Sequence, residues 1–175
     1  MSVTNADRQL EAVITEIESA FAGVEIKGGT TLHEAEAIDR GLSDDERLKA
    51  RIKDTAKRWA DVPEKDIENH PEALSFLDAP GYRFYLPAYM IWSLKNYRIS
   101  GSLSSDYTIY SLAPDNKAKD NAWKLKRFRT FTPAQGRAIF RFLKFMAECT
   151  DGYADDFAAK TAMDGYWKQY AGNDS

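Results

Sequence analysis

Between Tyr82 and Tyr97 the chain carries Tyr82, Phe84, Tyr85, Tyr89, Trp92 and Tyr97, with Leu86, Ala88, Met90, Ile91 and Leu94 filling most places between. Wound into a helix, these side chains surround the axis instead of forming a stripe. A helix that is apolar on every side is stable only inside a protein. The segment therefore demands a core able to enclose it, and amphipathic partners to do the enclosing. Proline fits the first turn of a helix, where its missing N–H costs nothing. Pro87 is accordingly placed at the first helical position, and the central helix runs roughly from Pro87 to Arg98.

The partners are written on both sides of it. Leu10, Val13, Ile14, Ile17 and Phe21 follow the spacing that lines one helical face, and Gly23 sits where a left-handed residue would end that helix. Thr31 with Glu34, and Ser43 with Glu46, form capping boxes, in which each side chain satisfies a backbone donor of the other. They predict a short helix from Leu32 to Arg40, stopped at Gly41, and another whose face is Leu48, Ile52, Ala56 and Trp59. Pro63 and Pro71 punctuate an acidic connector, Asp61 to Glu72, with room for one helical turn in it. Tyr107 to Leu112 is a short apolar piece. Trp123 to Phe131 mixes bases and aromatics without a clean period, as a short strand or an irregular segment would. Thr132-Pro133-x-Gln135 is a strong helix start, with Ile139, Phe142, Leu143, Met146 and Cys149 on its buried stripe. Asp151 or Gly152 breaks that helix, and a last one, about 153–171, carries Phe157, Met163, Tyr166, Trp167 and Tyr170. The expectation is a mainly α fold with little β: one compact domain over 1–175, about six helices around one buried apolar helix.

At 175 residues, with 43% apolar and 29% charged residues, the chain is long enough for such a core and too apolar for a disordered chain. One cysteine excludes an internal disulfide framework and any four-thiolate metal site. No run approaches the roughly 18 apolar residues of a membrane span, and the first 20 residues are acidic and amphipathic instead of signal-like. A cytoplasmic protein without a membrane segment is expected.

Chemistry is sparse. The two histidines are His33 and His70. His33, with Glu36 and Asp39 on its helix, offers one imidazole and a carboxylate for acid–base or metal work; the plainer reading is a solvated residue at a helix start. His70, before Pro71, reads as a turn residue, and Cys149 as a small buried hydrophobe. Gly28-Gly29 lacks the Lys-Ser or Lys-Thr of a phosphate loop, and no G-x-S-x-G elbow occurs. Neither a catalytic constellation nor a cofactor or metal site is expected, so the chain reads as a non-enzyme. A small hydrolase built on carboxylates, with His33 assisting, is the catalytic alternative.

Two stretches carry a resemblance. FLDAPGYRFYLPAYM (Phe76 to Met90) resembles the signature segment of a bacterial protein family known only as a domain of unknown function. TPAQGRAIFRFLKFMAE (Thr132 to Glu148) is similar to that family's second hallmark, and TLHEAEAIDRG and DERLKAR are similar to further parts of it. The likeness covers about residues 21–148. It implies no reaction. Small bacterial families of this kind often include immunity proteins that neutralise a toxin by binding it, which is an analogy of class and assigns no site.

Charge points to a partner. Residues 1–80 hold 18 acids and 10 bases, while residues 115–144 hold nine bases and two acids. Toxins that act on nucleic acids expose cationic clefts, and an acidic surface would steer fast association with one. The expected partner is thus another protein, a cognate toxin, held by the connector acids Asp61, Glu64, Asp66, Glu68 and Glu72, extended by Asp44, Asp45 and Glu46. The alternative contact face is the basic segment 117–144, with Lys124, Lys126, Arg127, Arg129, Arg137 and Arg141. Cations interleaved with Trp123, Phe128 and Phe131 would suit phosphates and bases. A sequence pI near 5.5 argues against a nucleic-acid binder.

Overall fold

A computed structural model describes residues 5–114 and 118–172. Among the described residues there are nine α-helices and no strand: α1 (Asn5–Ala20), α2 (Leu32–Asp39), α3 (Asp44–Arg51), α4 (Glu64–Asn69), α5 (Ala79–Asn96), α6 (Ser104–Leu112), α7 (Ala118–Phe128), α8 (Pro133–Glu148) and α9 (Asp156–Asp164). Three-residue and four-residue 3₁₀ turns stand at Trp59–Asp61, Ala73–Ser75 and Trp167–Tyr170. The fold is mainly α, with α5 at its centre as the apolar run requires.

Helix α5 is longer than Pro87 implied. Asp78 caps it, its Oδ1 accepting from Gly81 N at 2.9 Å, and Pro80 takes the first-turn position. Pro87 lies inside the helix, where it leaves the Arg83 carbonyl without its intrahelical donor. Burial outweighs that loss, since twelve of the eighteen residues are buried, Phe84 through Met90 without a break. Gly81 is fixed by contact: a Cβ there would come within 2.2 Å of the Thr30 carbonyl oxygen, and the same Asp78 Oδ1 accepts from Thr30 N. The chain entering α2 is thereby pinned to the first turn of α5.

Around α5 pack α1, α4, α6, α7 and the turns at 59–61 and 73–75; α8 packs on α1, α9 and the 167–170 turn. The predicted stripes are in place: Val13, Ile14, Ile17 and Phe21 are buried, as are Ile139, Phe142, Leu143 and Met146. Helices α1 and α2 give way at Gly23 and Gly41, which have φ of 71° and 65°. The α8 box closes fully, with Gln135 N donating to Thr132 Oγ1 at 3.2 Å and Thr132 N to Gln135 Oε1 at 3.1 Å.

Four local expectations are corrected. Helix α3 stops at Arg51 and leaves Leu48 and Ile52 58% and 77% exposed, while Trp59 reaches the core from its own turn, its indole N–H donating to the Phe21 carbonyl. Tyr107 to Leu112 is helical as part of α6. Most of Trp123 to Phe131 is helical too: α7 has an amphipathic pattern that inserts Phe128 between Tyr166 and Trp167. The last segment is not one helix over 153–171: α9 ends at Asp164, and Phe157 on it is 80% exposed.

Candidate functional site

The connector from Asp61 to Glu72 is built as a turn, the short α4 and a second turn, and it is tied down from inside. Ile67 is buried, Ser104 Oγ donates to the Ile67 carbonyl at 2.7 Å, and Tyr89 OH donates to the His70 carbonyl at 2.7 Å. Its acids consequently face outward at set positions. Asp61 accepts from Arg58 Nε and Nη2 at 2.8 and 2.6 Å, and those bonds hold its carboxyl below the usual range. Glu64 is exposed. Asp66 is half-buried and shares a cleft with Asp54, Asp61 and Tyr85. Glu68 Oε1 accepts from Ser100 Oγ at 2.9 Å, and Glu72 Oε1 from Tyr107 OH at 2.8 Å.

Those last two contacts join the acids to the exposed side of α6. Ile99 and Leu103, 81% and 56% exposed, flank the serines that meet Glu68. Tyr107 lies edge-on to Tyr110 at 5.8 Å, and Tyr110 OH donates to Asp155 Oδ2 at 2.9 Å. Partial burial, and next the Asp155 carboxylate, push the Tyr110 phenol up to about 12. Acids, tyrosines and exposed aliphatics thus form one continuous surface. Sequence reasoning found its acids and missed its aromatic half, because Tyr107 to Leu112 read only as a short apolar piece with no assigned helix and so no outward face.

Between Glu68 and Glu72 the connector also carries His70, and there the two histidines meet. Their ring centroids are 4.9 Å apart and steeply inclined. His33 Nδ1 lies 2.7 Å from Asp54 Oδ1, and its backbone N–H donates to Asp54 Oδ2 at 2.9 Å. His70 Nδ1 lies 3.3 Å from Glu36 Oε2. His33 is therefore neither solvated nor served by Glu36 and Asp39: its carboxylate comes from the turn after α3, and Glu36 serves the other imidazole. Burial pushes the His70 pKa down against the pull of Glu36. No local spacing could have found either pair. Among the described residues no group of three ligating side chains could hold a metal ion, and no helix is long and apolar enough to cross a membrane.

The alternative basic face comes apart in three dimensions. Arg127 is buried, its guanidinium 4.3 Å from the Tyr82 ring centre and Nη1 donating to the Leu74 carbonyl at 2.7 Å; it belongs to the core. Lys124 Nζ donates to the Tyr110 and Ala113 carbonyls at the end of α6. Lys126 and Arg129 are exposed, whereas Arg137 and Arg141 turn toward Glu16 on α1. Cys149 is only half-buried, with Gln9 Oε1 3.3 Å from its sulfur.

A family of unknown function (DUF6714) matches residues 9–171. The chain belongs to that family. No curated protein and no solved structure matches it. For this DUF6714 protein the match takes in the apolar helix α5, both histidines and the acidic connector, and it extends to the Trp167–Tyr170 turn beyond the stretch that the sequence motifs cover.

Proposed function

We propose that this DUF6714 protein binds another protein through the acidic, tyrosine-bearing face formed by α4 and α6, and that the partner is a toxin it neutralises by direct contact. The supporting observation is the continuity from Glu68 and Glu72 to Tyr107 and Tyr110, with Ile99 and Leu103 open beside them. Tyrosine and exposed aliphatic side chains supply contact area, and a rim of carboxylates steers a cationic surface into register. Class analogy and the acidic charge of this face support a toxin as the partner. Affinity purification from the native cell, followed by mass spectrometry, tests it. A salt-sensitive complex with a basic protein is expected, weakened at least tenfold by Glu64→Lys with Glu68→Lys while helicity is unchanged. Recovery of nucleic acid or a metabolite with no protein would overturn it.

A second reading is favoured by the histidine pair. An imidazole held at Nδ1 by a carboxylate is oriented as a general base is, and burial favours the neutral form of His70. The second reading is a hydrolase using His33 and His70. A folded His33→Ala, His70→Ala double variant that loses the cellular activity of the protein supports the enzyme; one that retains it leaves the binding protein.

A further inference from the structure

The two stretches that carry the family resemblance meet at a place the proposed function leaves unused. Arg83 comes from the first, and Thr132 and Gln135 come from the second. Gln135 Oε1 accepts from Arg83 Nε and from Thr132 N at 3.1 Å each, so one oxygen seats the guanidinium beside the start of α8. That oxygen is held in place. Gln135 is 2% exposed, and its Nε2 donates to the Ala20 carbonyl at 3.1 Å. Arg83 spends only Nε on this contact. Among the described residues its two Nη groups have no hydrogen-bond partner and no carboxylate pairs with it, whereas Arg51, Arg58 and Arg98 each meet an acid. Arg83 lines a cleft of about 450 Å³ between the end of α1, the start of α5 and the start of α8. The walls are accessible: Ala22, Gly23, Pro80 and Thr132 are exposed, and Ala20, Val24 and Ala79 are half-buried. Lys27 adds a second cation and Glu25 an acid, both exposed. Thr132 Oγ1 accepts from Gln135 N, which leaves its own proton to donate.

We infer that this cleft binds a small phosphate monoester, with its phosphoryl group on the Nη edge of Arg83 and its organic part against Ala20, Val24, Ala79 and Pro80. A guanidinium fork matches carboxylate and phosphate alike in shape. The other donors decide between them. A carboxylate accepts through two oxygens, whereas a phosphoryl group offers three and carries a charge of about −1.5 to −2. The Nη pair, the Thr132 hydroxyl and the Lys27 ammonium together suit the larger, more highly charged group. The volume is that of a pocket for a small organic molecule, and the short apolar side chains of its walls leave room for one.

Titration of the ¹⁵N-labelled full-length protein with phenyl phosphate, followed through the amide signals of Gly23 and Thr132 at constant ionic strength, tests the site. Both signals should shift saturably. Benzoate, which keeps the ring and replaces the phosphoryl group, should bind about tenfold more weakly, and benzylammonium should leave the two signals in place. Arg83→Gln should weaken phenyl phosphate by about tenfold or more. Two exposed positions keep the test decisive if that variant does not fold. Lys27→Asn, whose new residue tolerates the φ of 46° found there, should weaken binding about threefold, and Glu25→Gln should tighten it by a similar factor, both with the thermal midpoint unchanged. A purely structural Arg83 would move neither. Benzoate as tight as phenyl phosphate, equal shifts with benzylammonium, or affinities unchanged by Lys27→Asn and Glu25→Gln would overturn the assignment. A single-stranded oligonucleotide shifting the same signals while phenyl phosphate does not would overturn it too.

Discussion

At the scale of single residues, the histidine pair gives the clearest consequence. His70 is held below the ordinary imidazole value of about 6.5. On acidification the unfolded chain takes up a proton at His70 before the native state does. Its contribution to stability is therefore complete above the ordinary value and is lost as pH falls through the depressed folded value. Only two imidazole signals exist to follow. NMR should show His70 titrating below 6.5, and the urea midpoint should fall between pH 7 and pH 5 by more in the parent than in His70→Gln. An ordinary His70 titration would remove the effect. The same residues mark the limit of sequence reading. Thr31 with Glu34 and Thr132 with Gln135 are legible because a cap is complete within four positions. The pairing of His33 with Asp54 depends on where the turn after α3 sends the chain, and no periodicity encodes that.

At the scale of elements, α5 carries most of the weight. Trp92 is nearly buried on it, so Trp92→Ala should cost about 3–5 kcal/mol in chemical denaturation. A variant as stable as the parent would show that α5 is not the centre of the core. Existence and burial of this helix were legible from its all-round apolar pattern. Its start was not. Two prolines compete for the first turn, and the deciding signal is Asp78, whose carboxylate faces Gly81 and selects Pro80. Helix α7 failed for the opposite reason. Its buried cation Arg127 breaks the apolar stripe in the sequence and yet packs inward, because Tyr82 and the Leu74 carbonyl receive it.

At the scale of the whole molecule, the acid-rich and base-rich parts of the chain are joined as well as displayed. Glu16 meets Arg137 and Arg141, and Gln135 Nε2 donates to the Ala20 carbonyl, across 115 positions. With α1 built into the same packing as α8, unfolding should be a single event: far-UV circular dichroism and tryptophan fluorescence should superimpose in urea, though the tryptophans stand at 59, 92, 123 and 167. Two separated transitions would divide the domain. The closure of α1 by α8 also bears on synthesis. Val13, Ile14 and Ile17 leave the ribosome before α5 and must wait for residues beyond 133 before the α8 part of their packing exists. At typical elongation rates that interval is on the order of ten seconds, during which the apolar stripe of α1, and then all of α5, has no finished core to enter. For a chain of this design, the nascent state is where shielding by chaperones matters most.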